Sequence, residues 1–216
     1  MISRYAHNGH PIEALTVLHQ MELAGITPAN VITMASILPA CAQLRDLEQG
    51  QWVHGYMVKS GFQADVFVET ALVDMFAKCG CIGTTRYIFD KMSERNVVSW
   101  SAIIAGYTQN GEVNEALRLL HQMQLTGVKP NSTTMVSVLS ACVLLGALQQ
   151  GMFFHAYILT SGFGFDSSVV SALINMYAKG GDIVSAWSQM LLPSFLFCLP
   201  VAMQAWWMRV GINFIT

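Results

Sequence analysis

Charged residues are scarce in this 216-residue chain, and neither sign is in clear excess. Lys, Arg, Asp and Glu make up 11% of the residues, the formal net charge is −2, and 53% of the residues are hydrophobic. This composition argues against a protein that binds nucleic acid non-specifically through overall positive charge. So little charge beside so many apolar residues instead favours helices that are covered by neighbours on both sides, as in a stack.

The chain also lacks the residue patterns of several common catalytic and metal sites. None of its six histidines is followed two residues later by Glu, and it has no Cys-x-x-Cys, so the zinc signature of nucleobase deaminases is missing. Neither a Walker-type glycine loop nor a Gly-x-Ser-x-Gly elbow occurs. The five cysteines are odd in number, which argues against a disulfide framework, and Cys79-Gly80-Cys81 has the wrong spacing for half a zinc site. We therefore expect no catalysis, no bound metal and no cofactor.

What the chain does contain is a long internal repeat. The segment from Ala40 to Gly80 recurs 101 positions later, from Ala141 to Gly181, with the same Ala-Cys, His, Ser-Gly-Phe, Ala-Leu and Ala-Lys residues in register. Self-similarity at a fixed period is the sequence signature of a solenoid, in which each repeat buries its apolar face against its neighbours.

Each period divides into units of two helices. Apolar residues at helical spacing predict first helices at Glu69–Ala77, Trp100–Gln109 and Met135–Leu145, and second helices at Thr84–Met92, Val113–Leu125 and Gln149–Thr160. Asn-Gly and Gly-x-x-Pro turns separate them, since Gly and Asn tolerate positive φ and proline cannot continue a helix.

Three of these units carry a family resemblance. Residues 97–131 contain Val-Val-Ser-Trp-Ser-Ala-Ile-Ile-Ala-Gly-Tyr, Glu-Ala-Leu and Gly-Val-Lys-Pro-Asn, and resemble the standard motif of plant pentatricopeptide-repeat proteins. Ser-Val-Leu-Ser-Ala-Cys in 132–166 resembles the long motif, and Ala-Leu-Val-Asp-Met-Phe-Ala-Lys-Cys-Gly in 66–96 the short motif, of the subclass that alternates the three kinds, the PLS subclass. The resemblance implies an all-α fold, a right-handed superhelical α-solenoid of helix-turn-helix repeats. It divides the chain into a partial standard motif at 1–30, a long motif at 31–65, a short motif at 66–96, a standard motif at 97–131, a long motif at 132–166, a partial short motif at 167–186 and a divergent apolar tail at 187–216.

The resemblance also implies a function, which is sequence-selective binding of single-stranded RNA at about one base per repeat. In this family the fifth and the last residue of each motif select the base, which pairs Thr70 with Asn96 and Ser101 with Asn131. A small hydroxyl with a terminal Asn implies adenine, so two consecutive motifs predict an adjacent AA step. Two further candidates lack their partners, Ser171 as a fifth residue and Asn30 as a last residue. The long motifs pair Ala35 with Asp65 and Val136 with Asp166, and these are weaker positions because neither Ala nor Val can hydrogen-bond a base.

The family context implies a site-recognition factor for RNA editing or processing in mitochondria or chloroplasts. Its partners would be organellar single-stranded RNA and editing-complex proteins, or a deaminase supplied in trans, with no small-molecule substrate and no membrane. Two alternatives stay open: a protein-interaction scaffold, because solenoids also bind peptides, and a truncated gene product without function. Side chains near helix starts also serve as caps, which would account for the hydroxyls and amides without RNA.

A few further expectations concern recurrent residues and the two ends. His54 and His155 recur mid-helix and are expected to pack rather than to bind a ligand, while Lys78 and Lys179 either meet phosphate or are solvated. The chain opens within a motif, which predicts a fragment, and residues 1–7 lack the pattern of a signal or transit peptide. The apolar tail is interrupted by two prolines and two glutamines, which favours a non-native tail over a capping helix or a membrane span.

Overall fold

A computed structural model describes residues 2–25, 31–59, 65–163 and 166–181, and all regular structure in these ranges is helical. Asn30 and the apolar tail at 187–216 lie outside them. The helices of the described part are α1 (Ile2–His7), α2 (Pro11–Leu23), α3 (Val31–Leu44), α4 (Leu47–Lys59), α5 (Val66–Lys78), α6 (Ile82–Lys91), α7 (Val97–Gln109), α8 (Val113–Leu125), α9 (Ser132–Leu145), α10 (Leu148–Thr160) and α11 (Ser167–Lys179).

The helices form two layers. The odd-numbered helices make one layer, here named the first-helix layer, in which each helix contacts the next odd-numbered one from α1 to α11. Each even-numbered helix packs against the odd-numbered helices before and after it. This arrangement confirms the expected all-α solenoid, because every helix pair is held mainly by its immediate neighbours. Of the helices described, none is both long and apolar enough to cross a membrane.

A single hydrophobic core runs between the two layers, from Ile2 to Tyr177. Its bulkiest members come from both layers, as where the ring of Phe89 in α6 meets Trp100 in α7 edge-on, with ring centroids 4.8 Å apart. Edge-to-face pairs of this kind add roughly 0.5–1.5 kcal/mol to the energy of burial. The low charge content of the sequence thus reflects helices whose sides are largely covered.

Three first helices begin one turn earlier than the apolar periodicity predicts. The helix α5 begins at Val66, α7 at Val97 and α9 at Ser132, each three residues before the predicted start. The apolar spacing predicts only the turns that carry recurrent apolar residues, whereas a helix starts just after its capping residue, whose side chain satisfies free backbone N–H groups. The second helices lie within two residues of their predicted bounds.

Close contacts between neighbouring units occur at glycines. A Cβ atom placed on Gly50 of α4 would lie 2.4 Å from the sulfur of Met75 in α5, and one on Gly151 of α10 would lie 1.9 Å from the sulfur of Met176 in α11. These two pairs, here named the Gly–Met joints, connect α4 to α5 and α10 to α11. A larger side chain at either glycine would displace the end of the methionine side chain.

A third close contact joins two first helices. A Cβ on Gly106 of α7 would lie 2.5 Å from the Cβ of Ala77 in α5. The adjacent side chain of Asn110 donates from Nδ2 to the carbonyl oxygens of Ala77 and Gly106, both at 2.8 Å. The C-terminal ends of α5 and α7 are therefore fixed to each other by packing and by a hydrogen bond.

Candidate nucleic-acid interface

The predicted last residues of four motifs all occupy the same structural position. Asp65, Asn96, Asn131 and Asp166 are the N-caps of α5, α7, α9 and α11, and the side-chain oxygen of each accepts a hydrogen bond from a backbone N–H of the first turn. Such a cap contributes about 1 kcal/mol to helix stability. All four side chains therefore cap helices, as the capping alternative expects for the two asparagines. Capping occupies one of the two polar side-chain atoms of each residue.

Capping fixes which atom of each asparagine remains available. The Oδ1 of Asn96 accepts from the backbone N–H groups of Val98 and Ser99 at 2.9 and 3.0 Å. A backbone N–H can only donate, so the amide must place its oxygen toward the helix and its NH2 group away from it. Asn131 is oriented in the same way by the N–H of Thr134 at 2.9 Å. Each asparagine thus offers a hydrogen-bond donor, where a terminal aspartate would offer an acceptor.

The pair Thr70 and Asn96 lies on an open cleft between the starts of α5 and α7. The cleft has a volume of about 390 Å³ and is lined by Asp65, Val66, Phe67, Thr70, Asn96 and Val98. The hydroxyl oxygen of Thr70 is buried and has no hydrogen-bond partner in the described part of the chain. Since an unsatisfied buried hydroxyl costs roughly 1–3 kcal/mol, a polar partner that reached this oxygen would relieve that cost.

Two apolar side chains form walls of this cleft. Phe67 and Val98 are 69% and 56% exposed. Each is the second residue of its motif, in α5 and α7. A flat aromatic or aliphatic surface beside a polar group is the arrangement on which a single-stranded base can stack. Sequence reasoning overlooked both residues, and the available signal was an apolar residue immediately outside the buried periodicity.

The pair Ser101 and Asn131 is brought together directly. The hydroxyl of Ser101 lies 3.1 Å from Oδ1 of Asn131, 2.6 Å from the hydroxyl of Thr134 and 2.7 Å from the carbonyl oxygen of Val97. Ser101 is only 4% exposed. The two predicted pairs therefore differ, because one hydroxyl has no partner and the other is engaged within the protein.

The remaining candidate residues are less suited to contact a ligand. Ala35 is buried, and Val136 is partly buried on α9. Ser171 is exposed on α11, where its hydroxyl donates to the carbonyl oxygen of Ser167 at 2.8 Å. At Asp166, hydrogen bonds led by the hydroxyl of Ser168 lower the pKa to about 2, so this cap is ionised at neutral pH.

The recurrent histidines pack between helices. His155 is buried on α10, with Nδ1 at 2.7 Å from the hydroxyl of Tyr177 on α11. His54 on α4 meets Phe76 of α5 edge-on, with ring centroids 5.7 Å apart, and burial lowers its pKa. Both rings therefore connect a long motif to the next short motif, as expected for packed histidines.

Charged and thiol groups near the candidate interface are few. Lys78, at the end of α5, is partly exposed and pairs with Asp74 at 2.8 Å. Beside Thr70, burial and then the Asp65 carboxylate raise the pKa of Glu69, whose Oε2 is buried without a hydrogen-bond partner in the described residues. Within those residues no group of three or more His, Cys, Asp or Glu side chains could hold a metal ion.

Comparison with known families and proteins agrees with the repeat pattern. Residues 95–143 match the PPR repeat family, and residues 1–26 match the PPR repeat. A mitochondrial pentatricopeptide repeat-containing protein of Arabidopsis thaliana is 44% identical over 188 residues, which cover 86% of this chain and 27% of that protein. A chloroplastic one is 38% identical over 182 residues, covering 84% and 21%. The chain thus spans about a fifth to a third of the length of the curated relatives that it matches.

Solved structures show the same fold at low sequence identity. The crystal structure of the pentatricopeptide repeat protein PPR10 from maize aligns with a TM-score of 0.64 at 19% identity, covering 88% of this chain and 28% of that one. PPR10 in complex with an 18-nucleotide psaJ RNA element aligns with a TM-score of 0.58 at 18% identity, covering 91% and 28%. From the repeats, the matched family regions and the shared solenoid, we conclude that the chain belongs to the pentatricopeptide-repeat family.

Proposed function

We propose that the chain binds single-stranded RNA along the first-helix layer and selects bases with the pairs Thr70 with Asn96 and Ser101 with Asn131. The observation that carries the proposal is the cleft between α5 and α7. It places a hydroxyl without a partner and an amide donor between two exposed apolar walls. The family membership and the RNA complex formed by PPR10 support RNA as the ligand.

The chemistry of the cleft favours adenine over guanine. The Watson–Crick edge of adenine has an acceptor at N1 and a donor at the 6-amino group, whereas guanine has a donor at N1 and an acceptor at O6. An Asn96 amide held with its NH2 group outward can donate to adenine N1, and the Thr70 hydroxyl can accept from the 6-amino group. With guanine, the N1–H donor of the base would face the NH2 donor of Asn96. This leaves a buried polar group unsatisfied at a cost of roughly 1–3 kcal/mol.

Base contacts must supply most of the affinity. The chain has a net charge of −2, so overall attraction to phosphate is weak. Stacking on aromatic or apolar side chains contributes roughly 1–3 kcal/mol per base and does not depend on net charge. Lys78 and Lys179 lie at the ends of α5 and α11 and are the cations that we assign to phosphate contacts.

The test is fluorescence anisotropy with the full chain and labelled single-stranded RNA that carries a central AA or a central GG. We expect the wild type to prefer AA. The double variant Asn96→Asp and Asn131→Asp should prefer GG, because aspartate still caps the helix but offers an acceptor in place of a donor. Single variants at the two positions assign each base to its motif.

The control is a cap that should not alter selection. Exchanging Asp166→Asn makes the reverse change, from acceptor to donor, at a long motif whose fifth residue, Val136, cannot hydrogen-bond, and should leave the AA to GG ratio nearly constant. Equal binding of both RNAs by well-folded wild type and Asp variant would refute base selection and favour a protein-interaction scaffold.

The proposed biological role is recognition of a site for RNA editing or processing, with the alternating motifs of the PLS subclass. We place it in mitochondria or chloroplasts, as the names of the relatives suggest. Catalysis would come from another domain or from a deaminase in an editing complex. A crosslinking pull-down from each organelle, with the bound RNA sequenced, tests both the compartment and the target.

A further inference from the structure

In each proposed base-selecting site a helix begins directly after the asparagine, and the third residue of that helix differs between the two sites. At the Thr70 site this residue is Ser99 in α7, and at the Ser101 site it is Thr134 in α9. Both residues complete a capping box with the asparagine that precedes their helix. The sequence therefore presents two equivalent sites, each a hydroxyl, an asparagine and a hydroxyl cap.

The hydroxyl of Ser99 is used only within its own cap. It lies 3.1 Å from the backbone nitrogen of Asn96, from which it accepts, and 2.9 Å from the carbonyl oxygen of Asn96, to which it donates. It does not reach Thr70, whose hydroxyl oxygen has no partner in the described part of the chain. The cap of α7 therefore does not engage the Thr70 hydroxyl.

The hydroxyl of Thr134 reaches across to the neighbouring motif. It lies 2.6 Å from the hydroxyl of Ser101 and 2.9 Å from Oδ1 of Asn131, and both Thr134 and Ser101 are buried. Oδ1 of Asn131 also lies 3.1 Å from Ser101 and accepts from the Thr134 backbone N–H. These three side chains satisfy one another without a ligand, and only the Asn131 amide NH2 is left over.

We propose that Thr134 is a positioning residue that withholds the Ser101 hydroxyl from RNA. The Ser101 site then reads its base with the Asn131 amide alone, whereas the Thr70 site uses both a hydroxyl and an amide. Two motifs that the family pattern treats as equal adenine readers therefore discriminate unequally, and the Thr70 site is the stricter one. This inference rests on the proposed function, because it concerns how the same two sites share the selection.

The test measures selection at each base separately. Full-length chain is titrated with single-stranded RNA carrying a central AA, GA or AG, and the two bases are assigned by the single Asn96→Asp and Asn131→Asp variants. We expect Thr70→Ala to lower the adenine-to-guanine ratio at its own base by about three- to tenfold, the effect of one lost hydrogen bond. Ser101→Ala should change the ratio at its base by less than about twofold, because its hydroxyl is already engaged.

Removing the Thr134 hydroxyl, which engages Ser101, should reverse the insensitivity of the second base to Ser101→Ala. In Thr134→Ala the Ser101 hydroxyl still donates to the carbonyl oxygen of Val97, but its oxygen can accept from a base. The ratio at the second base should therefore rise and become sensitive to Ser101→Ala. The matched control is Ser99→Ala, which loses the same capping contact but frees no reading hydroxyl and should leave the ratio at the first base unchanged. Thr134→Ser keeps the hydroxyl and should retain the wild-type ratio, so a purely structural role for Thr134 would not produce this pattern.

The outcomes separate the two claims. Equal losses for Thr70→Ala and Ser101→Ala overturn the role of Thr134 while leaving RNA recognition in place, and this comparison decides the matter even if Thr134→Ala is unstable. No adenine preference at either base, in protein shown by circular dichroism to be folded, overturns the proposed function and the inference with it.

Discussion

Replacing Gly106 with alanine should destabilise the protein, although alanine is normally the better helix former. The new Cβ would lie 2.5 Å from the Cβ of Ala77, an atom that cannot move without its helix. Overpacking costs about 1–3 kcal/mol, and separating α5 from α7 would also lengthen the Asn110 hydrogen bond to Ala77, worth about 1 kcal/mol. Alanine also gains about 1 kcal/mol over glycine in helix propensity, which offsets part of this loss.

The net expectation is a loss of about 1–3 kcal/mol, which corresponds to a fall of roughly 3–10 °C in Tm for a chain of this size. Thermal unfolding followed by circular dichroism measures it. Ala77→Gly alone should lose about 1 kcal/mol through helix propensity. The double variant moves the Cβ to the other side of the same contact and should recover most of the stability lost in Gly106→Ala.

The control is Gly55→Ala in α4, where a Cβ would meet nothing within 4 Å. It should raise stability by up to about 1 kcal/mol. The inferred close packing of α5 against α7 would be wrong in either of two cases. In the first, Gly106→Ala stabilises the protein as much as Gly55→Ala does. In the second, the double variant loses as much stability as the two single variants together.

Three further expectations are open to direct measurement. Lys78→Ala should reduce the slope of log affinity for single-stranded RNA against log salt by about 0.7, as expected for one phosphate contact, with the AA to GG ratio unchanged; an unchanged slope would remove Lys78 from the interface. Glu69→Gln should raise the urea midpoint at pH 7, because burial raises the pKa of Glu69 above 4.5 and the ionised form therefore opposes folding. That gain should fade as the pH falls through the raised pKa and vanish below the unfolded value, so a gain that persists at pH 3 would contradict the cause. Tyr177→Phe should lose about 1–3 kcal/mol in urea unfolding by leaving Nδ1 of buried His155 without its 2.7 Å partner, whereas exposed Tyr87→Phe should change stability by less than about 0.5 kcal/mol.

The architecture could be predicted from sequence because it is repeated. Apolar spacing, Asn-Gly turns and the recurrence at 101 positions each report the same two-helix unit, so errors at one position are corrected by its equivalents. Helix starts are harder to predict, because the apolar spacing predicts starts one turn after those of α5, α7 and α9. Only the capping side chains mark those starts.

The sequence indicates which residues lie near one another but not which of their polar atoms are engaged. Asn96 and Asn131, the predicted last residues of their motifs, both cap a helix. Whether a neighbouring hydroxyl is free depends on side-chain rotamers and on a residue in the next motif. That is why Thr70 and Ser101, interchangeable in sequence, differ in the folded chain.

The Gly–Met joints bear on how such a chain can be rearranged by evolution or by engineering. Met75 and Met176 are the tenth residues of the two predicted short motifs, and each fills the space left by glycine in the predicted long motif before it. The standard motif has Gly106 at its tenth position, so placing it after a long motif would set glycine against glycine and open a void costing several kcal/mol. A long motif and the short motif after it should therefore be inherited, duplicated and transplanted together, and synthetic RNA readers assembled from these repeats should use that pair as their smallest interchangeable part.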